Sequence, residues 1–254
     1  MVSAPRKGAA RVADVAPDIL ARLNIGQIEA ATLSENLATD FATLLAATIP
    51  ELAKQAQQID IKAGITKRMA RVARILSDDS GQERLAWVSQ HPSDLLRGWG
   101  AYLLALDGAL TLPEKLQAMR RFADDPHFGV REWAWLALRP EIAEMPLDAI
   151  DALVPFTAEG SEYLRRFACE AIRPRGVWAA HILLLKETPE HALSILEPLR
   201  DDPSRYVQDS VANWLNDAWK SQPVWVESLC ARWEKENPTA STIHIVKRAL
   251  RNKK

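Results

Sequence analysis

The chain has 254 residues, 48% hydrophobic and 26% charged, with a net charge of −1. That is the make-up of a soluble globular protein able to bury one ordinary core or to form one extended array; without a global basic field, any anion site has to come from local clustering. Cys169 and Cys230 are too few for a disulfide framework, no Cys/His spacing suggests zinc, and no apolar run reaches the ~18 residues of a membrane span, so a cytoplasmic, reducing location with no metal and no cofactor is expected.

In chain order, residues 1–15 are Ala-rich with Arg6, Lys7 and Arg11 but lack a long apolar h-region. They read as a disordered extension and not as a signal peptide, leaving 16–254 as a single domain. Pro17 to Leu23 opens the first helix. Ile25 to Ala47 follows, with Leu33, Leu37, Phe41, Leu44 and Leu45 at helical spacing. Glu51 to Ile61 is a third helix. Thr66 caps a helix over Lys67 to Leu76, where Lys67, Arg71 and Arg74 form a basic stripe beside an apolar one. Asp78-Asp79-Ser80-Gly81 is a turn, and Arg84 to Gln90 and Ser93 to Leu106 form the next pair.

Capping signals punctuate the rest. Pro113 stands at a first-turn position, and Asp124-Asp125-Pro126 ends that helix. Met145-Pro146 introduces Leu147 to Phe156. Pro174 stops the helix that starts at Ser161. Thr188 caps Pro189 to Arg200, and Asp201-Asp202-Pro203 repeats the earlier device before Tyr206 to Ser221. Gln222-Pro223 and Asn237-Pro238 precede the closing helix, Thr239 to Arg251. Strand alternation and Asn-Gly hairpins are absent, so the chain is expected to be all-α.

The frame recurs. Leu164, Arg165, Phe167, Ala168, Arg173 and Pro174 have counterparts thirty-four residues upstream in Val130, Arg131, Trp133, Ala134, Arg139 and Pro140. Another thirty-four residues back, Leu96, Arg97 and Trp99 fall in register. Forty-three residues downstream, Asp209, Asn213 and Asn216 fall on the line of Arg166, Glu170 and Arg173. A period of roughly 34 to 47 residues marks a HEAT-like helical solenoid. In such an array the second helices line a concave cleft. Glu132/Arg139, Arg166/Glu170/Arg173 and Asp209/Asn213/Asn216 would lie side by side there, with Lys67/Arg71/Arg74 at one end and Trp135 and Trp178 as aromatic walls. Nine tryptophans against three tyrosines and five phenylalanines is an unusual balance, and most of the nine fit packing between helices.

Two stretches resemble the bacterial HEAT-like DNA alkylation repair family, the AlkC/AlkD group of alkylpurine DNA glycosylases. One supplies Arg165-Arg166, Ala168, Glu170, Arg173-Pro174-Arg175 and Trp178; the other supplies Val207, Ser210-Val211-Ala212-Asn213 and Leu215-Asn216-Asp217. The AlkC-type pattern is the nearer, and the likeness runs roughly over residues 24–220. The resemblance implies a monomeric helical-repeat protein that holds duplex DNA carrying alkylated bases by its backbone and hydrolyses the N-glycosidic bond of cationic N3- or N7-alkylated purines without a deep base-flipping pocket. Family roles carried over position by position fall on Glu170 and Asp217 as acids, Arg166 as a phosphate contact and Trp178 as an aromatic wall. Arg173, Arg175 and Asn213 are further candidate DNA contacts, with Trp135, Lys67, Arg71 and Arg74.

The chain departs from the family pattern at one place. Counting back from Arg139-Pro140, the position of a family acid holds Trp135, with Glu132 three residues earlier. Either Glu132 substitutes for that acid, or part of the catalytic set is gone. A non-catalytic scaffold for damaged or branched DNA, or for a protein, is therefore the second expectation. Plainer roles fit the same residues: a salt-bridge ladder for Arg166/Glu170/Arg173, repeat-joining amides for Asn213 and Asn216, packing for Trp178, and a solvated face for Lys67/Arg71/Arg74.

Overall fold

A computed structural model of the chain describes residues 6–77, 81–176 and 178–253. Among these residues every regular element is a helix. They are α1 (Pro17–Leu23), α2 (Leu33–Ala38), α3 (Phe41–Thr48), α4 (Ala53–Ala56), α5 (Ile65–Leu76), α6 (Gly81–Val88), α7 (Asp94–Ala105), α8 (Leu112–Ala118), α9 (Arg120–Ala123), α10 (Phe128–Glu144), α11 (Pro146–Leu153), α12 (Glu162–Ala171), α13 (Leu183–Glu187), α14 (Leu193–Leu199), α15 (Arg205–Trp219), α16 (Pro223–Glu236) and α17 (Ala240–Ala249). The described residues fall into two compact units. The first runs up to Gly108 and includes Pro126–Ala137; the second comprises Ala109–Asp125 and the chain from Leu138 onward.

Several boundaries differ from the sequence expectation, each for a local reason. The single helix expected over Ile25 to Ala47 is broken, because the Asp40 carboxylate accepts the N–H groups of Ala42 and Thr43 and starts α3 afresh. The helix expected from Glu51 shrinks to a 3-10 turn at Pro50–Leu52 followed by α4. Gly64, not Thr66, occupies the cap of α5. Pro140 lies inside α10, whereas Pro174 follows α12, whose last residue is Ala171. Residues 1–5 of the expected extension and residues 78–80 of the expected turn lie outside the described residues. Residues 6–15 do not hang free. Arg6 pairs with the buried Glu35 at 2.6 Å, Thr32 and Ser34 donate their hydroxyls to the carbonyls of Ala9 and Ala10, and Val12–Asp14 forms a 3-10 turn.

The repeat seen in the sequence has a physical counterpart. Arg97, Arg131 and Arg165 each turn their guanidinium back over the start of their own helix. Arg97 donates to the carbonyls of His91 and Pro92, Arg131 to that of Pro126, and Arg165 to those of Glu159 and Gly160. These bonds satisfy loop carbonyls that would otherwise be left without a partner. Two residues on, Trp99, Trp133 and Phe167 are buried. Each Asp-Asp-Pro sequence also ties forward to the next cap: Ser161 donates to Asp124, and Thr239 to Asp201.

Five tryptophans (99, 133, 135, 214 and 233) are buried in the two cores, and only Trp87 and Trp178 are exposed. Each buried indole removes on the order of 200 Å² from water, roughly 5 kcal/mol of gross transfer free energy. Gly98 shows how closely one such ring packs in the first unit. A Cβ there would stand 2.5 Å from Cδ1 of Trp133, so only glycine admits the indole against the α7 backbone.

Candidate functional site

The second unit brings the most strongly singled-out residues together. α12 is amphipathic, started by the Ser161 hydroxyl accepting the N–H of Tyr163. Its apolar line, Leu164, Phe167, Ala168 and Ala171, is buried. The remaining line carries Arg166 and Glu170 toward α15, and Arg173 follows just beyond the helix end.

At the centre is the Arg173 guanidinium, clamped between two acids from different helices. Nη1 donates to Glu170 Oε1 at 2.7 Å, and Nη2 and Nε donate to Asp217 Oδ2 at 2.6 and 3.0 Å. Both acids are buried, Glu170 at 3% and Asp217 at 4% exposure. The other Glu170 oxygen accepts the Ser210 hydroxyl at 2.6 Å and lies 3.5 Å from Arg166 Nη2. The other Asp217 oxygen accepts from Lys220 Nζ at 2.9 Å. Arg166 also lies over the Tyr206 ring, 4.4 Å from its centroid.

Burial opposes ionisation of Glu170, but Arg166, Arg173 and the Ser210 hydroxyl outweigh it and hold the carboxyl below its usual range. Burial likewise opposes the Arg173 charge; Glu170 and Asp217 reverse the effect and raise its value. The site therefore holds a fixed anion beside a fixed cation at neutral pH. Burial drives both thiols, Cys169 and Cys230, up to about 12, which removes them as nucleophiles.

A second guanidinium shapes the segment that follows. Arg139 is 1% exposed and donates to the carbonyls of Ala171, Arg173 and Ala180. Burial and the neighbouring Arg173 push its value down to about 10, so it stays charged. Arg175 donates to the Asp217 carbonyl and the Ser221 hydroxyl. Between these anchors Trp178 stands 56% exposed, at φ +60°. A bulky non-glycine residue in the left-handed region carries strain, and such strain clusters at ligand-contact sites. His181, in the same segment, is held below its ordinary value by its partial burial and by Lys186, Arg175 and Arg139. Burial is the largest part of that depression, and the three cations add to it.

The other candidates are placed differently. Asn213 is half-buried and accepts from Arg251 Nη2 at 3.2 Å. Asn216 is buried and donates to the Ala249 carbonyl, tying one helix to the next as Arg139 does. Glu132, Trp135, Lys67, Arg71 and Arg74 belong to the first unit. Trp135, expected as an aromatic wall, is only 4% exposed, and its indole N–H donates to Glu132 Oε2 at 2.9 Å. Lys67 and Arg74 are exposed, while Arg71 is half-buried and bonds Gln58. Sequence reasoning named Ser210 only as a motif residue, without its partner, and missed Lys220. Lys220 was legible as the i+3 partner of Asp217; the partner of Ser210 was not, because it is 40 residues away.

No family model matches the chain. Among curated proteins it is 34% identical over 140 residues to the uncharacterized protein YhaZ of Bacillus subtilis (strain 168), a match covering 54% of this chain and 36% of that protein. Among solved structures it resembles the alkylpurine DNA glycosylase AlkC of Pseudomonas fluorescens, solved bound to DNA containing an abasic site analog. That likeness has a TM-score of 0.63 at 25% identity and covers 84% of this chain and 60% of that one. AlkD2 from Streptococcus mutans superposes with a TM-score of 0.61 at 20% identity, covering 79% and 96% of the two chains. The chain thus spans less than two thirds of both YhaZ and AlkC. In its all-helical repeat architecture the chain is thus similar to the HEAT-like DNA alkylation repair glycosylases.

Proposed function

We propose that this protein acts in DNA alkylation repair, binding duplex DNA over α12 and α15 and hydrolysing the N-glycosidic bond of cationic N3- or N7-alkylated purines. The carrying observation is the pair of buried carboxylates, Glu170 and Asp217, held by one guanidinium beside the strained, exposed Trp178. A cationic alkylpurine is already a good leaving group, so little acid catalysis is needed. What the reaction lacks is stabilisation of the oxocarbenium-like sugar and a positioned water. Glu170, kept ionised by its neighbours, supplies the first, and Asp217 positions the water. The indole of Trp178 offers a flat apolar face to the deoxyribose, and Arg166 and Arg175 take the flanking phosphates. The test is release of 3-methyladenine or 7-methylguanine from alkylated duplex DNA by purified protein. Release is expected, and Glu170→Gln or Asp217→Asn should each lower the rate by at least about tenfold, a loss of roughly 1.4 kcal/mol of transition-state stabilisation. Wild-type rates no faster than spontaneous depurination would defeat the proposal.

A second reading has its own support. Every oxygen of Glu170 and Asp217 is engaged by Arg173, Ser210, Arg166 or Lys220, and Trp135 stands where the family pattern has an acid. That arrangement suits a non-catalytic binder of damaged duplex. Salt-dependent DNA binding without base release would select it.

A further inference from the structure

α17 continues the polar line of the site. Thirty-five residues beyond Asp209, Asn213 and Asn216 stand His244, Arg248 and Arg251, again at i, i+4 and i+7. The two lines also touch: His244 meets its numerical counterpart, and each arginine reaches the position before its own. His244 Nε2 lies 2.8 Å and Arg248 Nε 3.4 Å from Asp209 Oδ1, and Arg251 Nη2 donates to Asn213 Oδ1. Asn252 donates to Asn216 Oδ1 at 3.2 Å, and the side chain of Arg251 feels Asp217 and Arg173. Its sign differs from that of the middle helix. α15 offers one acid and two amides on this line, whereas α17 offers a histidine and Arg248, with Arg251 just past its end and the exposed Lys247 alongside. Asp209 offsets one of these charges. Glu227 holds Lys253 at 2.9 Å and removes it from the count.

We infer that α17 is a third rail of the site, with Arg248 and Arg251 binding backbone phosphates of a duplex laid over α12 and α15. The inference rests on the DNA-binding reading above. Apart from Asp209, which His244 and Arg248 face, the line on α15 is made of neutral amides, and the arginines beyond supply counter-charge to phosphates. Asp209 and Asn213 hold the two guanidiniums in place through one or two of their five N–H groups, so donors remain for phosphate oxygens. With α15 packed between them, α12 and α17 are two helix spacings of roughly 8–10 Å apart, which corresponds to about five base pairs at ~3.4 Å of rise. The contacts would thus lie on the flank of the duplex, away from the bond that breaks.

The experiment is equilibrium binding of the full chain to a duplex carrying an abasic-site analogue, across a salt series. Wild type should bind with affinity that falls steeply as salt rises. Arg248→Gln/Arg251→Gln should weaken binding at low salt at least tenfold and reduce the slope of log K against log salt by about 2, one per phosphate contact. Lys235→Gln, an exposed charge on α16, should leave the slope unchanged, and thermal unfolding should be the same in all three proteins. A double variant that keeps the wild-type slope, while wild type binds, overturns the role of α17 and leaves the DNA-binding reading standing. A wild type that does not bind duplex overturns both.

Discussion

Arg173 and Asp217 lie 44 residues apart in the chain, and two nitrogens of one guanidinium converge on a single carboxylate oxygen at 2.6 and 3.0 Å. The same side chain bonds Glu170 at 2.7 Å. One cation therefore bridges two buried anions that would otherwise repel each other, and it does so on the segment that leads to Trp178.

Removing that cation alone is expected to be costly. Arg173→Met would leave two buried carboxylates with reduced compensation, a loss of about 3–5 kcal/mol in urea unfolding. Replacing all three together, Glu170→Gln, Arg173→Met and Asp217→Asn, should recover more than half of that loss, because the two buried carboxylates are removed along with the cation they share. A single Arg173→Met variant as stable as wild type would show that the clamp contributes nothing to folding.

Acid dependence follows from Glu170. Its folded value is depressed, so it contributes stability above its unfolded value of about 4.3 that is lost as pH falls through the lower folded value. The stability difference between wild type and Glu170→Gln is thus expected to be constant near neutrality and to shrink below about pH 4. Unfolding free energies measured from pH 7 to pH 3 check this. A difference that widens toward acid would mean that the group is raised, not lowered.

Trp178 sets stability against function. Both Trp178→Gly and Trp178→Ala lose the exposed indole, but only glycine accepts φ +60° without penalty. Glycine should be the more stable of the two by about 0.5–1 kcal/mol, while both lose binding to the abasic-site duplex by a similar factor. Equal stabilities would remove the case for strain there.

The sequence by itself determined the helical class, the thirty-four-residue register and the residues of the central clamp. Those features are local or periodic: Arg97, Arg131 and Arg165 mark the repeat because each acts on its own helix start. Glu170 and Arg173 are visible as neighbours one turn apart. Tertiary structure decided what these residues meet. That Asp40 breaks the second expected helix depends on a side-chain cap winning over apolar spacing. That Trp135 is buried on Glu132, while Trp178 is exposed in a left-handed conformation, depends on how the surrounding chain packs, and an indole carries no signal of its own to tell the two apart. The reach of Arg139 to Ala171, Arg173 and Ala180, and of Ser210 to Glu170, spans 32 to 41 residues. Contacts of that range form only after the helices stack, because the partners are fixed by the packing of one repeat on the next and not by any spacing within a helix.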